Sequence, residues 1–259
     1  MCLEYSERNG YVMRQRKLFT IVICVLLLLC TALTTIAVYQ NRWYKTGEIT
    51  DAYIFPKYEG ERSLAWEEAV EFYQVPDTVL KSMSTKGLVE TCLSYPLFAS
   101  NMIFSNVSMY SGFKSTIREF NGLTELLNRE DAGRILLNVY KTKDLGLTIL
   151  TDEYPIFRLK YFEYIMSLDE ILHMLSYDER NELIEVCFEN LIIKDKTYDD
   201  MYSRDSTILI IAKIYSIDND EFNQFVKSNP KVNTFLEYGI FEAMSEEEVG
   251  SLLNLIGVY

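Results

Sequence analysis

Acid–base or nucleophilic catalysis needs a histidine, an activated thiol or paired carboxylates, and this chain is sparing with the first two. His173 is the single histidine among 259 residues. A zinc site would therefore have to be assembled from cysteines and carboxylates, and a Ser-His-Asp arrangement would have to run through this one residue. Its neighbours Leu172 and Met174 mark it as a boundary or core histidine rather than a base. Cys92 and Cys187 are the cysteines that follow residue 30, and both fall among apolar positions of expected helices, where inert thiols usually sit. In an oxidising compartment the sharper reading is a Cys92–Cys187 disulfide, whose long closed loop would contribute about 3–5 kcal/mol. A Cys187–His173 nucleophile pair across a helical hairpin is the alternative chemistry.

Carboxylates are abundant, with 38 acids against 25 bases. Asp199 and Asp200 with Asp205 form one cluster, and Asp218 with Asp220 and Glu221 form another. The second lacks the glycine and distal glutamate of a calcium loop, and Asp218 with Glu221 reads more simply as a helix N-cap and its reciprocal partner. The first reads as a solvated loop with weak cation binding as its sharper alternative. Nineteen tyrosines could line a ligand groove, although most should be core or half-buried helix positions. No G-x-S-x-G elbow, phosphate loop or dinucleotide fingerprint is present, which disfavours nucleotide enzymes. No catalytic, cofactor or metal residue is therefore assigned. Asn106-Val107-Ser108 matches a glycosylation acceptor without further support.

The elements that must position these groups read as helices. Pro76 suits a first turn, Ser84 precedes TKGLVETCL, Pro155 opens a long run, and Ser176 with Glu179 and Ser245 with Glu248 match the capping box. Across 155–175, Phe157, Tyr161, Ile165, Leu168, Leu172 and Leu175 recur at three- and four-residue steps and predict one apolar stripe. Residues 177–194 repeat the pattern with Leu183, Val186, Cys187, Leu191 and Ile192, and the lone serine between the runs predicts an antiparallel helical hairpin. Asn121-Gly122 and Asn229-Pro230 punctuate other helices. Gly146–Leu150 and Ile103–Ser111 read as loops, and a hinge near 144–153 would divide two helical halves. The expected fold is mainly α, as an irregular helical bundle or a short α-solenoid-like array.

Leu18–Val38 is a run of 21 residues without a charge, long enough as a helix to span roughly 30 Å of hydrocarbon. Residues 1–17 would be a cytoplasmic tail, 18–38 a single transmembrane helix, 39–60 a stalk or linker, and 61–259 a helical extracytoplasmic domain. Arg14, Arg16 and Lys17 lie next to the run, which keeps the N-terminus in the cytoplasm and places the protein in the plasma (inner) membrane. Trp43 and Tyr44 fit an interfacial anchor. Signal cleavage after Thr35-Ile36-Ala37, releasing an exported protein, is the rival, but the apolar run exceeds the usual export segment. Lipoprotein processing at Cys30 is disfavoured by Leu28 and Leu29. Thr31 and Thr35 have spacing that would permit a homodimer of spans.

The charge is segregated. Residues 1–38 carry a net +2, and the remainder, with 21 bases and 36 acids, a net −15. Such a surface repels phosphate backbones, so nucleic acid is not an expected partner; basic peptides, cations or neutral ligands are.

At VPDTVLKSMSTKGLVETCLSYPLF, residues 75–98, and FNGLTELLNREDAG, residues 120–133, the chain resembles a group of exported bacterial helical proteins of unknown function. That resemblance implies a bacterial envelope setting and brings no activity or functional residue. The expected function is a membrane-anchored, non-enzymatic protein that binds an envelope protein or ligand. The alternative is an envelope hydrolase using carboxylates or the Cys187–His173 pair.

Overall fold

In the computed structural model the chain divides into two units, Met1–Ile49 and Thr50–Tyr259. The structure describes residues 51–60, 62–98, 100, 107–142, 155–197 and 204–258. The expected span at 18–38, the hinge at 144–153, the segment Gly146–Leu150, and Asn106, Asp199 and Asp200 lie outside those residues. Among the described residues no helix is long and apolar enough to cross a membrane.

The described part of the second unit is mainly α, with thirteen α-helices and no strand among its described residues. In chain order these are α1 (Trp66–Phe72), α2 (Asp77–Ser82), α3 (Thr85–Leu93), α4 (Met109–Glu119), α5 (Asn121–Leu127), α6 (Ala132–Thr142), α7 (Pro155–Met166), α8 (Asp169–Met174), α9 (Tyr177–Thr197), α10 (Asp205–Asp218), α11 (Asp220–Ser228), α12 (Pro230–Tyr238) and α13 (Glu246–Leu255). Local chemistry sets many of the starts. The Ser84 hydroxyl accepts from the Gly87 N–H at α3, and Ser245 and Glu248 exchange both capping-box bonds at α13. Ser176 and Glu179 do the same at α9, at 3.2 and 2.8 Å.

Two starts differ from expectation. Ser108 caps α4 by accepting from the Ser111 N–H, so part of the stretch read as a loop around 103–111 is helical. α11 is capped by Asn219, which accepts from the Phe222 N–H at 2.9 Å. Asp218 instead ends α10, and its two oxygens take the Arg180 guanidinium at 2.7 Å each. A neighbouring residue supplied an equivalent cap, and a distant arginine claimed the carboxylate.

The region 155–175 is two helices rather than one. Ser167 returns its hydroxyl to the Tyr164 carbonyl, and Leu168 is extended before Asp169 opens α8. α7 has no solvent face over its last two turns, because every residue from Tyr161 to Met166 is buried. It packs against α3, α4, α6, α8 and α10. The expected hairpin of 155–175 with 177–194 is not the main pairing: α9 packs chiefly on α10 and also on α6. α9 and α10 run antiparallel, since Arg180 meets Asp218 at one end and Lys194 meets Thr207 at the other. α10 runs parallel to α7 and α8, as the pairs Lys160–Asp205 and Asp169–Lys213 show. α11 and α12 then fold back on α10.

Residues 51–58 are not a free stalk. They have no regular secondary structure, yet Tyr53 and Phe55 pack against the helical core.

Candidate functional site

The residues singled out for nucleophilic chemistry do not form a working pair. His173 is exposed on α8, and its Nδ1 lies 2.7 Å from the Asp169 carbonyl of the preceding turn. Cys187, on α9, is wholly buried, and burial pushes its thiol well above the usual range. A thiol held protonated in a closed core is neither nucleophile nor metal ligand. Cys92 on α3 is likewise buried with its thiol pushed up, and both cysteines are free thiols. Of the first carboxylate cluster, Asp205 lies within the fold, where burial raises its carboxyl against the opposing pull of Lys160.

Asp205 leads to a polar cluster that the spacing of residues did not reveal. The carboxylate of Glu163 on α7 is wholly buried and accepts from four side chains. Its Oε1 receives the Tyr140 hydroxyl of α6 at 2.6 Å, the Lys194 ammonium of α9 at 3.0 Å and the Thr207 hydroxyl of α10 at 2.8 Å. Its Oε2 receives Lys194 at 2.7 Å and the Ser206 hydroxyl at 2.5 Å. Lys194 also donates to Thr207 Oγ1 at 2.7 Å, so that hydroxyl accepts from the lysine and donates to the glutamate. Near this cluster on α7, Lys160 pairs with Asp205 at 2.9 Å. Burial, followed by the Glu163 charge, drives the Tyr140 phenol well above its usual range.

A hydroxyl beside a lysine has the outline of a nucleophile and its base, but this pair cannot act as one. Glu163, Lys194, Ser206 and Thr207 are each at most 2% exposed, so no substrate reaches them. Taking the proton from Lys194 would also leave the Glu163 charge buried without its counter-ion, at a cost of several kcal/mol. The cluster satisfies its own donors and acceptors and ties four helices together. Its signal in the sequence was the run PIFRLKYFEYIM, which is apolar on all sides, so that charges within it have no outer face to occupy.

One open feature among the described residues is a polar groove of about 320 Å³ between α2, the end of α4 and α5. Its lining includes Asp77, Arg118, Glu119, Asn121 and Glu125. Two amides shape it. Gln74 donates to the Val70 and Glu119 carbonyls at 2.6 and 2.7 Å and accepts from the Asn121 N–H at 3.0 Å. Asn121 bonds both backbone groups of Val75, at 3.1 and 2.7 Å. Arg129 is tied to Glu125 at 2.8 Å and to the Leu80 carbonyl at 2.9 Å. With Glu125 paired to Arg129, the acids Asp77 and Glu119 still outnumber Arg118 at the rim, which favours a cationic visitor.

Among the described residues no group of three or more His, Cys, Asp or Glu side chains is arranged to hold a metal ion. Compared with protein-family models, with curated proteins and with solved structures, the chain matches none.

Proposed function

We propose that this is a membrane-anchored, non-catalytic binding protein of the bacterial cell envelope, single-pass at residues 18–38 with its N-terminus in the cytoplasm. Its helical unit is an irregular bundle organised around α7 and offers the acidic groove between α2 and α5 to a basic segment of an envelope partner. The observation that carries the reading is the closure of the Glu163–Lys194 cluster. That set of polar groups is spent on holding helices, while the open groove carries charge suited to recognition. The packing of α3, α4 and α10 on α7, none of them its neighbour in sequence, supports a bundle over a repeat array, whose units touch only neighbours. A hydrolase built on Cys187 and His173 finds no support, since one group is buried and the other exposed.

The test is capture of envelope proteins on the intact chain in lipid nanodiscs. Retention that weakens with salt, and weakens again in an Asp77→Asn/Glu119→Gln variant, is the expected result. A clean capture at low and high salt would count against the reading. The topology is checked separately by a tag after Tyr259, which protease added to spheroplasts should remove.

A further inference from the structure

Residues 51–55 lie on the helical unit as an extended peptide lies on a receptor. The Asp51 carboxylate accepts from the Ser84 N–H at 2.6 Å and the Ser84 hydroxyl at 2.7 Å, over the N-terminus of α3. Gly87 gives it room, because a Cβ there would overlap the carboxylate. The Tyr53 N–H donates to the Thr91 hydroxyl at 2.8 Å, one turn further along α3. Phe55 enters a box of rings formed by Tyr73, Tyr95 and Phe120, with centroids 6.2, 5.9 and 6.0 Å away. Tyr95 and Phe120 stack on each other at 4.0 Å and make the floor of the box. Ile54, between the two inward rings, is 89% exposed. An acid at a helix terminus, one backbone bond and an aromatic anchor at alternate positions are the means by which grooves read extended segments.

We propose that this groove is a recognition site for an extended Asp-x-Tyr-x-Phe segment, filled by the chain's own residues 51–55 and able to take the same segment from a second copy. The Thr91 hydroxyl lies on α3, and the box and the Ser84 cap come from residues flanking α1, α3 and α5, so the groove stays whole when the segment leaves. Residues 56–60 beyond the segment have no regular structure that would resist a hinge. Exchange of such an element between copies replaces each contact by its equivalent and costs little. The inference concerns a different surface from the acidic groove, so either can fail alone.

The experiment uses the full chain in nanodiscs carrying Asp51→Asn and Phe55→Ala, which empties the groove without touching its walls. A fluorescent peptide of residues 50–59 should bind this variant saturably, and about tenfold or more tighter than a peptide with Asp51 and Phe55 replaced by alanine. It should bind the unmodified chain more weakly, since the resident segment competes at high effective concentration. A folded variant that binds neither peptide, or both equally, overturns the site. Two differently tagged unmodified copies in one bilayer should co-purify and separate on addition of the peptide; peptide binding without co-purification overturns the second copy as occupant. Should the variant lose its helical fold, hydrogen exchange on the unmodified chain decides. The Tyr53 amide should exchange about a hundredfold or more faster than that of Ile165 in α7 through local opening, and equal rates overturn the proposal.

Discussion

Glu163 shows how a single residue can be worth more by its loss than by its presence. A buried ion pair repays its own desolvation only when every hydrogen bond is made, and here Tyr140, Lys194, Ser206 and Thr207 make them. Glu163→Gln leaves Lys194 charged and unpaired in the core and should cost about 3–5 kcal/mol in denaturant unfolding; adding Lys194→Met should recover much of that loss. The carboxylates respond to pH in opposite senses. Hydrogen bonds from Ser176 hold Glu179 below the usual 4.5, so its contribution is fully present above that value and is lost as pH falls through the depressed folded value. Burial raises Asp205, so the folded state takes up its proton more readily than the unfolded chain, and that residue's contribution grows as pH falls. The loss of stability on acidification between about pH 5 and pH 2 should accordingly be shallower in Glu179→Gln than in the unmodified protein, measured by thermal melts across pH. Cys92 and Cys187 should resist maleimide in the native protein and react once it is unfolded, with mass spectrometry assigning the sites; rapid native labelling of either would contradict their burial.

At the scale of elements, helix starts were legible because capping is a matter of a few adjacent residues. Ser84, Ser176 and Ser245 each cap where their sequence context places a helix start. The same locality explains the misses. Asn219 and Asp218 are both competent caps, and the choice between them was made by Arg180, thirty-eight residues away. Asn219→Ala should therefore cost about 1 kcal/mol, while Asp218→Ala should weaken the α9–α10 end without fraying α11, a difference visible in amide exchange of Phe222. α12 ends at Gly239, whose φ of 66° is left-handed. An added Cβ would meet the Tyr110 Cβ at 2.6 Å, so Gly239→Ala should lose well over ~1 kcal/mol in thermal unfolding.

For the molecule as a whole, periodicity identified a mainly helical unit and misjudged its centre. A single stripe over 155–175 describes a helix with one buried face, whereas the last two turns of α7 are enclosed on every side, and enclosure leaves no periodic trace. The lead-in at 51–58 looked like linker because extended segments have no signature other than the surface that receives them. Chains beginning at Thr50 should keep the far-UV spectrum and melting of the helical unit, while chains beginning after Gly60 should lose stability through the empty Phe55 box, a comparison made by circular dichroism.

The amino-acid sequence alone determined what short-range physics can determine: helices and their caps, the uncharged run at 18–38 with its basic flank, and the acidity of the remainder. Only the tertiary structure decided which helix sits inside, which charges pair across it and where residues 51–55 come to rest. Those outcomes depend on contacts between residues distant along the chain, where apolar burial is indifferent to partner and the geometry of a few polar groups selects one arrangement.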